Sequence, residues 1–157
     1  MNWDAVGAIG EIVGAFAVVL SLVYLSIQIR TQNNESRLAS VSQTVAAQRE
    51  SMRMFIEPQV SEDFLAVIDS YEKAEPAQQL RFTMCVMVAL KANQGAYLQY
   101  LEKRLDEDFF EPFGAQLADM LANQSVQTVW KLRGHQFDRR FREYVENGMS
   151  GLKLYPT

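Results

Sequence analysis

The sequence predicts an all-α protein: an N-terminal transmembrane helix followed by a cytoplasmic helical bundle of about five helices. Three observations predict it. The eighteen residues from Ile12 to Ile29 carry no charge. Beyond them, apolar residues recur at steps of three and four, with no convincing strand pattern. Pro58, Pro76, Pro112 and Gly134 divide that region into helix-sized pieces. The expected division is an anchor over 1–30, a bundle over 31–148 and a tail over 149–157.

The anchor comes first. At about 1.5 Å per residue, its uncharged stretch covers roughly 27 Å, close to the roughly 30 Å of a hydrocarbon core. Trp3 stands where an interfacial aromatic would stand, with Tyr24 and Gln28 toward the other end. A cleaved signal peptide would want a basic leader, but "MNWDAVG" holds Asp4 and no Lys or Arg. A buried core helix would be long at this length without charge. Arg30, Arg37, Arg49 and Arg53 all follow the span, so the positive-inside rule places the C-terminal part in the cytoplasm. A reducing compartment also suits an unpaired Cys85.

Within the anchor, Gly7, Gly10, Gly14, Ala17 and Ser21 fall on alternating steps of three and four. That spacing places them on one stripe, and small residues let helix backbones approach closely in lipid. The stripe predicts a helix-packing face, used by a second copy or by a partner helix. Glu11 is the lone ionisable group in this stretch. Two readings stay open for it: a carboxylate at the headgroup layer, or a pore or ion contact inside an oligomer.

The next helix is expected to continue from the anchor without a break, because "RTQNNESR" holds neither Gly nor Pro. Leu38, Val41, Val45, Met52, Phe55 and Ile56 give it an apolar stripe that Pro58 ends. A short helix over 61–73 follows, with Ser61 as N-cap and Phe64, Leu65, Val67 and Ile68 inward. The longest bundle helix, about 76–104, starts at Pro76. Phe82, Val86, Ala89, Asn93, Ala96, Tyr97 and Tyr100 form its main face, widened by Met84, Met87, Val88 and Leu98. Asn93 and Gln94 sit at its middle, where amides need partners, so with Tyr97 they form a candidate polar pocket or a register device.

A proline inside a helix costs about 3 kcal/mol. A loose turn is therefore expected over Asp106 to Glu111, with Pro112 at the first helical position and Phe109, Phe110, Phe113, Leu117 and Leu121 docking behind it. Ser125 is the expected cap of a helix carrying Val126, Val129 and Trp130, and Gly134 its end. Asp138 is the expected cap of the last helix, with Phe141 and Val145 inward. Arg139, Arg140 and Arg142, with Lys131 and Arg133, give this end a basic edge that suits either solvent or anionic lipid.

The totals narrow the function. A length of 157 residues allows one domain with an appendage, and 48% apolar residues support a core. The net charge of -4, without a long basic run, argues against a general nucleic-acid binder. A single cysteine excludes an intrachain disulfide and a thiolate zinc cage, and His135 has no second histidine for a metal pair. The acidic run Asp106, Glu107, Asp108 and Glu111 lacks the spacing and glycine of a calcium loop, and acids favour helix starts. No phosphate loop or nucleophile elbow is present, and Cys85 lies among Met84, Val86 and Met87, where burial keeps a thiol unreactive. No catalytic constellation, cofactor or metal is expected.

"MNWDAVGAIGEIVGAFAVVLSLVYLSIQIR" resembles the opening of a family of small bacterial membrane proteins. The shared pattern is a Trp-acid-Ala start, Gly-Glu-Ile and Gly-Ala in the span, then Tyr-Leu and Gln-Ile-Arg. "RFTMCVMVALKANQGAYLQY" is similar to that family's central helix. "FDRRFREYV" is similar to its closing helix, with Asp138 where Ser is commoner. The stretch around Pro112 departs from the family pattern. The resemblance covers nearly the whole chain and implies a bacterial membrane protein, without implying an activity; with the orientation that the charges give, the expected location is the inner membrane, N-terminus outside.

These readings lead to a non-enzymatic membrane scaffold or accessory subunit, in a homo-oligomer or a larger membrane complex. One alternative is a homo-oligomeric channel with Glu11 or Ser21 toward the lumen. Another is a helical ligand sensor with its pocket near Asn93.

Overall fold

The computed structural model describes residues 3–149, and leaves the side chains of 3–6, 8 and 9 undescribed. The side chains of Trp3 and Asp4, and the expected tail beyond Met149, therefore lie outside the described residues. Six α-helices are present, and no strand occurs among the described residues: α1 Trp3–Arg53, α2 Pro58–Ile68, α3 Pro76–Leu101, α4 Glu107–Ala122, α5 Gln124–Arg133 and α6 Arg139–Met149. Single 3-10 turns, Met54–Ile56, Tyr71–Lys73 and Gly134–Gln136, join α1 to α2, α2 to α3 and α5 to α6. The protein is all-α, with one long apolar N-terminal helix and a helical domain. By contacts the chain divides into Met1–Ala39 and Ser40–Thr157.

In the first unit the backbone of α1 is helical from residue 3 and runs through residue 30. Two hydroxyls of the first unit are used locally: Ser21 Oγ donates to the Ala17 carbonyl at 2.8 Å and Thr31 Oγ1 to that of Ile27 at 3.2 Å. Such back-bonding satisfies these two hydroxyl protons within the helix.

The second unit is built around α3. Phe82, Val86 and Leu90 pack with Val67 of α2, Leu117 and Leu121 of α4, Val126, Val129 and Trp130 of α5, and Phe141 and Val145 of α6. A smaller cluster joins Ala96, Leu105 and Phe110, with Val41, Tyr97 and Tyr144 against it. Met84 and Val88, expected to widen the buried face of α3, are exposed, since α3 is covered on one side and open on the other.

Pro58 does more than end α1. It occupies the first turn of α2, so that helix starts before Ser61, whose hydroxyl donates to the Pro58 carbonyl at 2.9 Å. Proline's fixed φ suits a first helical position, and that preference overrides the serine cap. Pro76 starts α3 as expected, supported by a reciprocal capping box between Glu75 and Gln78. α3 closes with Lys103 at φ 57, where the amides of Lys103 and Arg104 donate to the carbonyls of Tyr100 and Gln99, each at 2.9 Å. This is a Schellman close with lysine where glycine is usual.

Two further expectations are overturned. No loose turn spans 106–111: α4 begins at Glu107 and carries Pro112 inside it. Helical backbone there places Phe110 in the core, stacked on Tyr100 at 4.6 Å between centroids and 5.9 Å from Tyr97. Burial of a large aromatic is worth about 1.5–3 kcal/mol, comparable with the proline's cost. Lying near the helix start, Pro112 removes one hydrogen bond, to the Asp108 carbonyl. The cap of α5 is Asn123, not Ser125: Asn123 Oδ1 accepts from the amides of Ser125 at 2.8 Å and Val126 at 3.2 Å. Ser125 is buried and ties helices together, donating to the Val67 carbonyl at 3.0 Å and accepting from the Tyr71 amide at 3.2 Å.

The C-terminal part of α1 also differs from its expected packing. Val45, Met52 and Ile56 are exposed, while Ser40, Thr44 and Ser51 are buried. The hydroxyls are satisfied at short range, Thr44 Oγ1 on the Ser40 carbonyl at 2.9 Å and Ser51 Oγ on that of Gln48 at 2.8 Å. Thr44 also donates to Gln99 Oε1 at 3.3 Å, and the Gln48 amide donates to Gln116 Oε1. Small residues with internally bonded hydroxyls let this face approach its neighbours closely, and its polar seam displaces the apolar stripe from the interior.

Candidate functional site

The most prominent feature is the apolar surface of α1. Twelve large apolar residues between Ile12 and Ile29 are exposed, from Leu25 at 50% to Phe16 at 68%. They point in all directions around the helix, so no face is left for water. The stretch reaches a mean hydropathy of 2.3 over eighteen residues, with none of it buried within the protein. Leaving this surface in water would cost more than about 10 kcal/mol, comparable with the whole stability of an ordinary domain. Among the described residues one helix, near the N-terminus, is thus long and apolar enough to cross a membrane.

Gly7, Gly10, Gly14, Ala17 and Ser21 lie on this helix, all exposed. A Cβ built at Gly7, Gly10 or Gly14 meets nothing within 4 Å. No contact among the described residues asks for glycine at these positions, and each glycine lowers helix propensity by about 1 kcal/mol relative to alanine. Glu11 is exposed on the same helix.

The three residues of the expected polar pocket diverge. Asn93 is buried, and its Nδ2 donates to the Ala89 carbonyl at 2.9 Å. Its Oδ1 is buried without a hydrogen-bond partner. Gln94 turns toward α6, where its Oε1 accepts the Asp138 amide at 2.9 Å. Tyr97 stacks on Tyr144 with centroids 4.3 Å apart and planes 16° apart, and burial pushes its hydroxyl above the ordinary value of 10.0. None of the three lines the hollow beside Ser70 and Ser125, that beside Trp130 and Arg142, or that beside Leu121 and Met149.

Other groups that signal chemistry are quiet. Cys85 is buried, which raises its thiol above the usual value and leaves it protonated. Among the described residues, no group of three or more His, Cys, Asp or Glu is placed to hold a metal ion. Asp138 caps α6 by accepting the Arg140 amide at 2.9 Å and its side chain at 3.2 Å, which holds the carboxyl below its ordinary value.

One buried charge is absent from the sequence reading. Asp63 of α2 accepts from Arg81, from Gln78 Nε2 at 3.3 Å and from Gln59 Nε2 at 3.4 Å. An acid one turn from Val67, on the inward side of α2, was the signal available for it.

No family model, curated protein or solved structure matches this chain.

Proposed function

We propose that this chain is a single-pass inner-membrane protein whose helical domain is a non-enzymatic cytoplasmic scaffold or accessory subunit. The observation that supports it is the exposed, all-round apolar stretch of α1 between Ile12 and Ile29. A bilayer is the solvent in which such a surface is stable. The basic residues Arg30, Arg37, Arg49 and Arg53 after the span favour a cytoplasmic C-terminal domain. The family resemblance of the opening thirty residues favours the same reading.

The small-residue stripe supplies the means of association. Gly7, Gly10 and Gly14 have open space above them, and close backbone approach by another helix gives that space a use. The partner is a second copy or a helix of a larger membrane complex.

The deciding experiment extracts the full chain from membranes in mild detergent and measures the native mass of the complex, with co-purifying proteins identified. A membrane-bound dimer, or a defined complex with another membrane protein, is the expected result. Full-length chain recovered as a detergent-free monomer in the high-speed supernatant would overturn the proposal. A larger ring that conducts ions in liposomes, and stops doing so with Glu11→Leu, would replace it with the channel reading.

A further inference from the structure

The basic edge at the C-terminal end of the domain is sorted by the fold into two kinds. Arg139 Nε lies 3.7 Å from Glu143 Oε1, and Arg140 Nε lies 3.2 Å from Asp138 Oδ1. Lys131 of α5, His135 of the following turn and Arg142 of α6 instead converge on one open cleft of about 410 Å³. Trp130 and Glu146 also line it.

Three details make this cleft more than a charged surface. Arg142 Nε is buried and has no hydrogen-bond partner. Leaving that donor unpaired is costly, and the guanidinium that carries it also lines the cleft, where an oxyanion is the acceptor that suits it best. Trp130 adds to the lining the small apolar surface that it leaves exposed beside the cations. Gly134 keeps the chain close against that ring, because a Cβ there would sit 3.2 Å from Trp130 Cε2. Among the described residues of the lining, Lys131 and Arg142 face one acid, Glu146, which gives this lining a net positive charge.

We propose that this cleft binds a phosphate ester, with its oxyanion on Arg142 and Lys131 and its apolar group against Trp130. Two sources share that chemistry: the headgroup of an anionic phospholipid, and a soluble phosphate ester. The site is independent of how the anchor associates.

The test uses the full chain with Trp3→Phe, so that Trp130 is the remaining indole, held in phosphatidylcholine nanodiscs. Titration with butyl phosphate should change Trp130 emission saturably, and inorganic phosphate should bind more weakly. Arg142→Gln should weaken binding about tenfold, the loss of one charge-assisted hydrogen bond. Lys131→Gln, at an exposed position that the fold does not need, should weaken it severalfold. Arg139→Gln should leave it unchanged. If phosphatidylglycerol nanodiscs produce the same Arg142-dependent change without added ester, the source is the lipid headgroup. If they do not, while butyl phosphate still binds, the source is soluble. No saturable change in either disc overturns the proposal, and so does equal weakening by Arg139→Gln and Arg142→Gln, which would mark diffuse charge.

Discussion

Arg81 of α3 donates to the buried carboxylate of Asp63 on α2, and the two glutamine amides of Gln59 and Gln78 complete its shell. The Arg81 hydrogen bond is the main reason the carboxyl sits below its ordinary value of 3.8. A carboxyl depressed by folding stabilises the native state above its unfolded value, and this contribution disappears as pH falls through the folded one. Asp63→Asn should therefore lower the melting temperature of the detergent-solubilised chain at pH 7. The gap to wild type should hold down to about pH 5 and close below about pH 4. A gap that stays constant to pH 3 would show that the charge plays no part.

Ser125 and Asn123 both bond to backbone but do different work. Asn123 caps its own helix, and replacing such a cap with alanine costs about 1 kcal/mol. Ser125 spans two helices and is buried, so Ser125→Ala leaves the Tyr71 amide without its acceptor. The expected cost is about 1–3 kcal/mol. Urea unfolding of both variants measures the order, and Ser125→Ala should be the more damaging.

Gly95 and Gly134 should respond to alanine in opposite directions. Gly95 lies inside α3 with nothing within 4 Å of its built Cβ, so Gly95→Ala should raise stability by about 0.5–1 kcal/mol. At Gly134 the new methyl would press on the buried ring of Trp130, and overpacking of this kind costs about 1–3 kcal/mol. Paired thermal melts, with Trp130 emission in a Trp3→Phe background reporting ring displacement in Gly134→Ala, check both.

Lys103 holds a left-handed backbone at φ 57, a conformation that disfavours a Cβ. Lys103→Gly should keep the Schellman close of α3 and gain up to about 1 kcal/mol. A loss of stability in chemical denaturation would mean that the lysine side chain itself anchors the turn.

The anchor glycines offer a clean test of association. No described residue comes within 4 Å of a Cβ at Gly10 or Gly14, so Gly10→Ile with Gly14→Ile should leave the helical domain's melting unchanged. The same double variant should lower the native mass in detergent, because the added bulk keeps helices apart. An unchanged mass would assign association, if present, to another face.

Much of the architecture is legible in the sequence. The uncharged run before Arg30, the proline starts at Pro76 and the Asp138 cap each follow from one local rule, and no tertiary contact competes with it. The misreadings share a cause: a distant neighbour overrides a local preference. Pro112 argues for a turn, yet stacking between Phe110 and Tyr100 favours helix through it. Ser125 has the composition of a cap, but Val67 and Tyr71 claim it. Val45 and Met52 set the helical period of their segment, whereas Ser40, Thr44 and Ser51 conceal their polarity in local bonds and take the interior. The cleft between Lys131 and Arg142 depends on how α5 and α6 fold back on each other, which residue spacing alone does not encode.

The seam made by residues 40–53 within the helical domain has a dynamic consequence. Its side-chain hydrogen bonds to the bundle, Thr44 to Gln99 and Gln48 to Gln116, can each be exchanged for water at little net loss, and Val41 adds one apolar contact. The Gln48 carbonyl oxygen, buried without a partner, gains by that exchange. This stretch is thus the readiest to peel away while the Phe82–Trp130–Phe141 interior stays shut, and its amides should surrender deuterium protection ahead of those in α3 and α5.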